Sequence, residues 1–220
     1  MRFLYHIQSG EEYLKIENET FSHLKARRLK EEDEVAFKNF KDKFTYIYKC
    51  VQLEKKFFLF VLKEKKIEQI QQNSKLHLAL AVIDPKVIEK TLPFLNELGV
   101  EKLSLVYMQY SQRNFRLDEK RMEKILIESS QQCGRNSLLK LEIYKNFEQF
   151  QSKYKNIVLI DFEGENLLNF NPLECVFLVG AEGGFSQLER TKCFQKAKLN
   201  TPFVLKAQTA IIALASKFII

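Results

Sequence analysis

The sequence predicts an α/β fold in two parts, a small β-barrel over residues 1–70 and a larger parallel-sheet α/β domain over residues 74–220. Three observations predict it. The first part is built of alternating or continuous apolar runs of strand length. After the polar stretch KKIEQIQQNSK, residues 65–75, strand-like runs begin to alternate with amphipathic helical ones, the rhythm of a mainly parallel sheet covered on both faces. Late in the chain, glycines and small residues gather at strand ends, where such sheets bind ligands.

In chain order, MRFLYHI opens as a strand. TFSHLKARRLKEED follows, rich in Lys and Arg with Ser22 as a candidate cap, and reads as a short helix or loop presenting Lys25, Arg27, Arg28 and Lys30. The bland alternative is a solvated face whose bases pair with the acids that follow them. DEVAFKNF and FTYIYKCVQLE alternate or nearly alternate, and FFLFVL is a buried type of run; together they make a small barrel with a basic patch. Past the boundary, HLALAVI is a strand and PKVIEKTLPFLNELGV a helix closed by Gly99. KLSLVYM is a strand, and LDEKRMEKILIESSQQCGR a long amphipathic helix ending at Gly134. LKLEIY, NIVLIDF and CVFLVG are strands, SQLERTKCFQKAK a helix, PFVL a strand and QTAIIALASKFII a closing helix.

Composition narrows the function classes. The 220 residues carry a formal net charge of +7, which favours a polyanionic partner, RNA, DNA or an anionic membrane, over a neutral one; a generally basic proteome is the plain alternative. The four cysteines, Cys50, Cys133, Cys175 and Cys193, show no C-x-x-C spacing and read as reduced thiols. His6, His23 and His77 are scattered, so no metal site is expected. The start is too short and polar for a signal peptide, and no apolar run is long enough to span a bilayer. A cytoplasmic protein that does not enter the membrane is expected.

The first βα turn, HLALAVIDPKV, contains no glycine, and no G-x-x-x-x-G-K-S/T occurs anywhere. These absences argue against a dinucleotide-binding dehydrogenase, a P-loop nucleotidase and a methyltransferase of the doubly wound type. The glycines come late, in VGAEGGFS, residues 179–186. Gly183 and Gly184 permit positive φ and close backbone approach, and Ser186 with Glu189 fits a capping box. A tight, well-capped turn accounts for these features equally well. Two further strand ends, Asp161-Phe162-Glu163-Gly164 and Leu205-Lys206-Ala207-Gln208-Thr209-Ala210, suggest one composite pocket with the first. Acids in such a pocket disfavour phosphate and suit hydroxyls, amines or a cation, a description that S-adenosylmethionine meets.

GAEGGFS resembles the G-P-E-G-G-F-S/T motif of the RsmE family, SPOUT-class methyltransferases that methylate N3 of a uridine in 16S ribosomal RNA. LKAQTA stands where that family has L-R-x-E-T-A. ESSQQCGR is similar to its E-A-x-E-Q-S/C-G-R, NELGV to its T-E-L-G-V, and SHLKARRLKEEDEV to its N-terminal basic motif. The matches keep the family's order and cover essentially the whole chain. The resemblance implies a PUA-like RNA-binding barrel followed by a SPOUT domain whose end forms a trefoil knot, acting as a homodimer on 16S RNA or the small ribosomal subunit. It places S-adenosylmethionine among Asp161, Phe162, Val179, Gly180, Ala181, Glu182, Gly183, Gly184, Phe185, Leu205, Lys206, Ala207, Thr209 and Ala210. It makes Arg135 and Lys206 the candidate catalytic cations, and Lys25, Arg27, Arg28, Lys30, Arg113, Arg116 and Arg135 the candidate RNA contacts. The chain departs from the family at Ala181, Gln131, Lys206 and Gln208. These departures leave two rival readings, a catalytically weak or inactive RNA-binding protein and a methyltransferase with another RNA target.

Overall fold

The structure, a computed structural model, describes residues 3–67, 74–193 and 195–220. By contacts the chain divides into two units, Met1–Gln71 with Ile127–Ser137, and Gln72–Leu126 with Leu138–Ile220.

The first unit holds strands β1 (Leu4–Tyr5), β2 (Tyr13–Ile16), β3 (Glu34–Lys38), β4 (Phe44–Leu53) and β5 (Phe58–Ile67) in the order β1-β3-β4-β5-β2. All neighbours are antiparallel except β1 and β3. Strand alternation decides which side is buried: in β2, Leu14 and Ile16 point inward while Tyr13 and Lys15 face out. The core is aromatic. Phe37, Tyr48 and Phe60 are fully buried, with Phe37 edge-on to both others at 5.5–5.7 Å. Helix α1 (Asn18–Ala26) adds Leu24 to this core and sets the Phe21 ring against Phe58, tilted, with centroids 4.6 Å apart. Within the same unit, the Gln131 side chain accepts a hydrogen bond from Tyr5 N at 2.6 Å.

The second unit is a six-stranded sheet in the order β11-β9-β10-β6-β7-β8, with every pair parallel. Its strands are β6 (His77–Ala81), β7 (Lys102–Val106), β8 (Lys140–Tyr144), β9 (Ile157–Asn166), β10 (Val176–Val179) and β11 (Gln195–Lys198). Leu78 to Ala81 have no exposed surface, as expected of a strand covered on both faces. Helix α2 (Pro85–Glu97) starts where the Asp84 side chain accepts from Lys86 N at 2.8 Å, with proline in its first turn. Helix α6 (Ala207–Ile219) packs on α2, β6 and β10. The remaining helices are α3 (Glu119–Cys133), α4 (Phe147–Lys153), α5 (Gln187–Lys192) and a short 3-10 turn at Leu167–Asn169.

Strands β6, β7 and β8 step outward in one direction. The chain then returns to the other side of β6, where β10 fills the place between β6 and β9. This reversal is a topological switch point, and the crevice beyond the carboxyl ends of the strands there is where a parallel α/β sheet holds its ligand.

Two expected elements are corrected. The helix predicted over SQLERTKCFQKAK ends at Lys192, and Gln195–Lys198 is the edge strand β11 paired with β9. The open edge of β9 supplies a hydrogen-bonding partner that outweighs helical periodicity, and Ala197 is small enough to lie fully buried against it. PFVL is not a strand but part of the connection into α6, since Pro202 can donate nothing to a ladder. The polar stretch 65–75 begins as strand, with Lys65 and Lys66 paired to Tyr46 and Thr45. Residues 68–73 of that stretch, residues 1–2 of the opening strand and Phe194 lie outside the described residues.

Candidate active site

The glycine loop is closed on itself. After β10, the Gly184 N–H donates to Ala181 O at 2.8 Å, and these residues form an isolated bridge. Gly184 sits at φ +70, and a side chain on Gly180 would come within 3.0 Å of the Gly184 backbone, so both glycines serve the tightness of the turn. The predicted capping box is present: Ser186 N donates to Glu189 Oε2 at 2.8 Å and Glu189 N to Ser186 Oγ at 3.3 Å. The second oxygen of the buried Glu189 accepts from Gln109 N at 2.8 Å, which ties the loop after β7 to the start of α5. Tyr110 in that loop covers Gly183, where an added Cβ would stand 3.1 Å from its ring.

The loop Asp161–Gly164 arises from a jump in strand register. Leu159 pairs with Lys196, but the next residue of β11, Ala197, pairs with Glu165. Residues 160–164 are therefore pushed out of the β9–β11 ladder as a wide bulge. Gly164 allows the strands to meet again, because a Cβ there would lie 2.4 Å from the Ala197 backbone. Asp161 is buried in the bulge. Its Oδ1 accepts from the Phe162 N–H at 2.8 Å, and its Oδ2 faces the Arg190 guanidinium at 2.8 Å in an ion pair. Arg190 Nε also donates to Phe185 O at 3.1 Å. One arginine thus joins the bulge to the glycine loop.

The third wall is the connection from β11 into α6. Lys206 is the N-cap residue and makes no side-chain cap bond, so the first amides of a helix of 13 residues remain available to a ligand. These three segments enclose a cavity of about 470 Å³, a size suited to a small-molecule ligand. Of the residues predicted to hold a cofactor, Asp161, Phe162, Val179, Gly180, Ala181, Glu182, Gly183, Gly184, Phe185, Leu205, Lys206, Ala207 and Ala210 line it, and Thr209 is not among them. Ile160, Leu199, Phe203 and Val204 add apolar wall, and Arg190, Lys198 and Thr201 add polar groups that sequence reasoning did not name. The cavity carries both signs of charge. Asp161 is already neutralised by Arg190, and Lys198 and Lys206 stand with the exposed Glu182. An apolar-walled cavity with a helix amino end and both charges fits a zwitterionic nucleoside such as S-adenosylmethionine.

The other candidates lie elsewhere. Arg113 and Arg116 line a second, larger depression of the same unit, beyond β7 and β8. Lys25, Arg27, Arg28 and Lys30 are exposed in the first unit, at and just after the end of α1, with the Lys25 ammonium over the Phe21 ring at 5.6 Å. Arg135, also of the first unit, is buried, and its Nε donates to Ser137 Oγ at 3.1 Å. Among the described residues no cluster of His, Cys, Asp and Glu could hold a metal, and no helix is long and apolar enough to cross a membrane.

A parallel α/β sheet with such a cavity beyond three adjacent strand ends is the arrangement of a ligand-binding α/β protein. The model of the RNA methyltransferase domain family matches residues 69–219. The ribosomal RNA small subunit methyltransferase E of Helicobacter pylori is 40% identical over 98% of both chains. Among solved structures, the ribosomal RNA small subunit methyltransferase E of Neisseria gonorrhoeae, crystallised bound to S-adenosyl methionine, is similar with a TM-score of 0.80 at 19% identity, over 99% of this chain and 96% of that one. A probable rRNA-methyltransferase from Porphyromonas gingivalis reaches 0.81 at 16% identity, over 99% and 96%. The chain belongs to the ribosomal RNA small subunit methyltransferase E family, RsmE.

Proposed function

We propose that the protein transfers a methyl group from S-adenosylmethionine to N3 of a uridine in 16S ribosomal RNA. The observation that carries this reading is the single cavity formed by the bulge of β9, the glycine loop and the amino end of α6, in a chain so similar to relatives named for small-subunit RNA methylation. Within that cavity, the amides at the start of α6 would take the cofactor's carboxylate, Glu182 its ammonium, and the apolar walls its adenosine. When bound, the cofactor supplies an electrophilic methyl group on a positively charged sulfur.

Uridine N3 lies on the Watson–Crick edge, so the base must leave its stack. N3 would have to give up its weakly acidic proton to solvent, and the part of this chain is to hold N3 in line with the methyl group that the cofactor would supply. Negative charge developing on the uracil oxygens is met by a fixed cation. Lys206, exposed at the cavity, is the better candidate, because Arg135 is buried with its Nε committed to Ser137. Most of the acceleration is positioning.

The same proposal includes a PUA-like barrel in the first unit that carries RNA on Lys25, Arg27, Arg28 and Lys30, a trefoil knot supported by the late insertion of β10 between β6 and β9, a homodimer and a cytoplasmic location. The exposed Phe162, Phe203 and Val204 support a partner surface beside the cavity.

Nucleoside mass analysis of 16S RNA from a strain lacking the protein tests the reading. Loss of N3-methyluridine is expected, restored by the wild-type gene. Unchanged N3-methyluridine rejects the target, and no binding of S-adenosylmethionine in calorimetry at millimolar cofactor rejects the enzyme.

A further inference from the structure

The depression beyond β7 and β8, about 870 Å³, is nearly twice the volume of the cofactor cavity and has a different character. Its cations come from three separate elements of one unit: Arg113 and Arg116 from the connection after β7, Lys145 from the turn after β8, and Lys192 from α5. Their commitments differ. Lys192 is held by Glu148 at 2.6 Å. Arg116 turns back on its own loop, donating to Arg113 O at 2.7 Å and Phe115 O at 3.1 Å. The side chains of Arg113 and Lys145 are exposed, and neither has an acidic partner among the described residues. Glu189 also lines the depression, but both its oxygens are spent on backbone N–H groups of Gln109 and Ser186.

Two free cations face an open hollow whose acids are already engaged, so the hollow selects an anion. The lining of the hollow is tied to the glycine loop: Glu189 accepts from Gln109 N and from Ser186 N, the residue that follows the loop, and Tyr110 lies against Gly183, which lines the cofactor cavity. The geometry points to a nucleotide subsite: Arg113 and Lys145 hold phosphates of the single-stranded RNA flanking the target nucleotide, while the target base enters beside the glycine loop. This inference rests on the methyltransferase reading for the identity of the RNA, but not for the existence of the anion site. Phosphate contacts of this kind fix the register of the strand without reading its sequence.

The test uses the full chain, a single-stranded oligoribonucleotide of about ten nucleotides with a central uridine, and three proteins: wild type, Arg113→Gln with Lys145→Gln, and the charge-matched control Lys86→Gln with Lys90→Gln on the exposed side of α2. RNA affinity is measured across a salt series, and S-adenosylmethionine affinity by calorimetry. Each phosphate neutralised on a single strand contributes about −0.7 to the slope of log affinity against log salt. The Arg113/Lys145 variant is expected to lose about 1.4 from that slope with cofactor affinity unchanged, and the control to keep the wild-type slope. An unchanged slope in the first variant, or an equal loss in both, overturns the subsite. Absence of cofactor binding by wild type is a separate result: it removes the methyltransferase reading, while a lost slope still supports the anion site.

Discussion

Arg190 is the residue whose position explains most about the cavity. Its Nη1 lies 2.8 Å from Asp161 Oδ2 and its Nε 3.1 Å from Phe185 O, so it holds the β9 bulge and the glycine loop in one arrangement. Asp161 is buried, with a side chain only 2% exposed; Arg190→Met therefore strands a carboxylate. Breaking a buried pair from one side costs about 3–5 kcal/mol, and the partly exposed arginine reduces this to about 2 kcal/mol here. Arg190→Met is expected to lower both stability and S-adenosylmethionine affinity. Adding Asp161→Asn should return most of the stability but not the affinity, because the Phe185 contact stays lost. Denaturant titration and calorimetry of the two variants check this, and a double variant no more stable than Arg190→Met contradicts the pairing. Gly183→Val tests the opposite wall. The added carbons would meet the Tyr110 ring, already 3.1 Å from an ideal Cβ, so the glycine loop must move. Cofactor affinity is expected to disappear with the circular dichroism unchanged; retained affinity would show that the loop does not shape the site.

At the scale of elements, what is legible follows from local rules, whereas the edge strand β11 depends on a partner strand. The capping box of α5, the glycine ends of α2 and α3 and the alternation of the central strands are written in residues a few positions apart, so the sequence alone locates them. Nothing within Gln195–Lys198 announces an edge strand, so helical periodicity prevails in the sequence; its conformation comes from pairing with β9. The same pairing creates the bulge that presents Asp161 and Phe162, so without β11 the sequence shows Asp161–Gly164 only as an ordinary strand end. Lys198 is hidden for the same reason, and Arg190 because its reach from α5 to Asp161 is a tertiary contact; from Asp161, Glu163 and Glu182 alone the pocket looks acidic. A variant tests this account of the bulge. Gly164→Ala places a Cβ 2.4 Å from Ala197 backbone, which has no flexible end to turn aside. A loss of about 2–3 kcal/mol is expected, the upper range for overpacking, along with weaker cofactor binding. A thermal midpoint equal to wild type would mean that β9 and β11 do not approach each other as described.

At the scale of the whole molecule, stability should fall with pH earlier than its carboxylates alone require. Across β6, β7 and β8 the second unit carries a part-buried polar network. His77 Nε2 lies 2.8 Å from Ser104 Oγ, Ser104 donates to Glu142 Oε2 at 3.4 Å, and Tyr144 and Tyr154 each donate to the same oxygen at 2.6 Å. Lys153 donates to Glu142 Oε1 at 2.9 Å, and Lys102 lies 3.6 Å from it. Burial, helped by the nearby Lys102, lowers the His77 pKa from 6.5 to about 4. Burial pushes Glu142 up, but its hydrogen bonds from Tyr144, Tyr154 and Lys153 prevail and bring it from 4.5 to about 2. Both groups bind protons more readily when the chain is unfolded, so both make stability fall on acidification. His77 acts first, between pH 6.5 and about 4, and across that window its shift is worth about 3 kcal/mol. Glu142 acts below 4.5, as the pH falls toward about 2. His6, in the first unit, is also lowered by burial, so the His77 contribution is read from a difference between proteins. In denaturant titrations at pH 7, 5.5 and 4.5, wild type should lose stability progressively more than His77→Gln does. Parallel stability curves for the two proteins would show that His77 is protonated in the folded state as easily as in the unfolded one, and that the network does not hold it neutral.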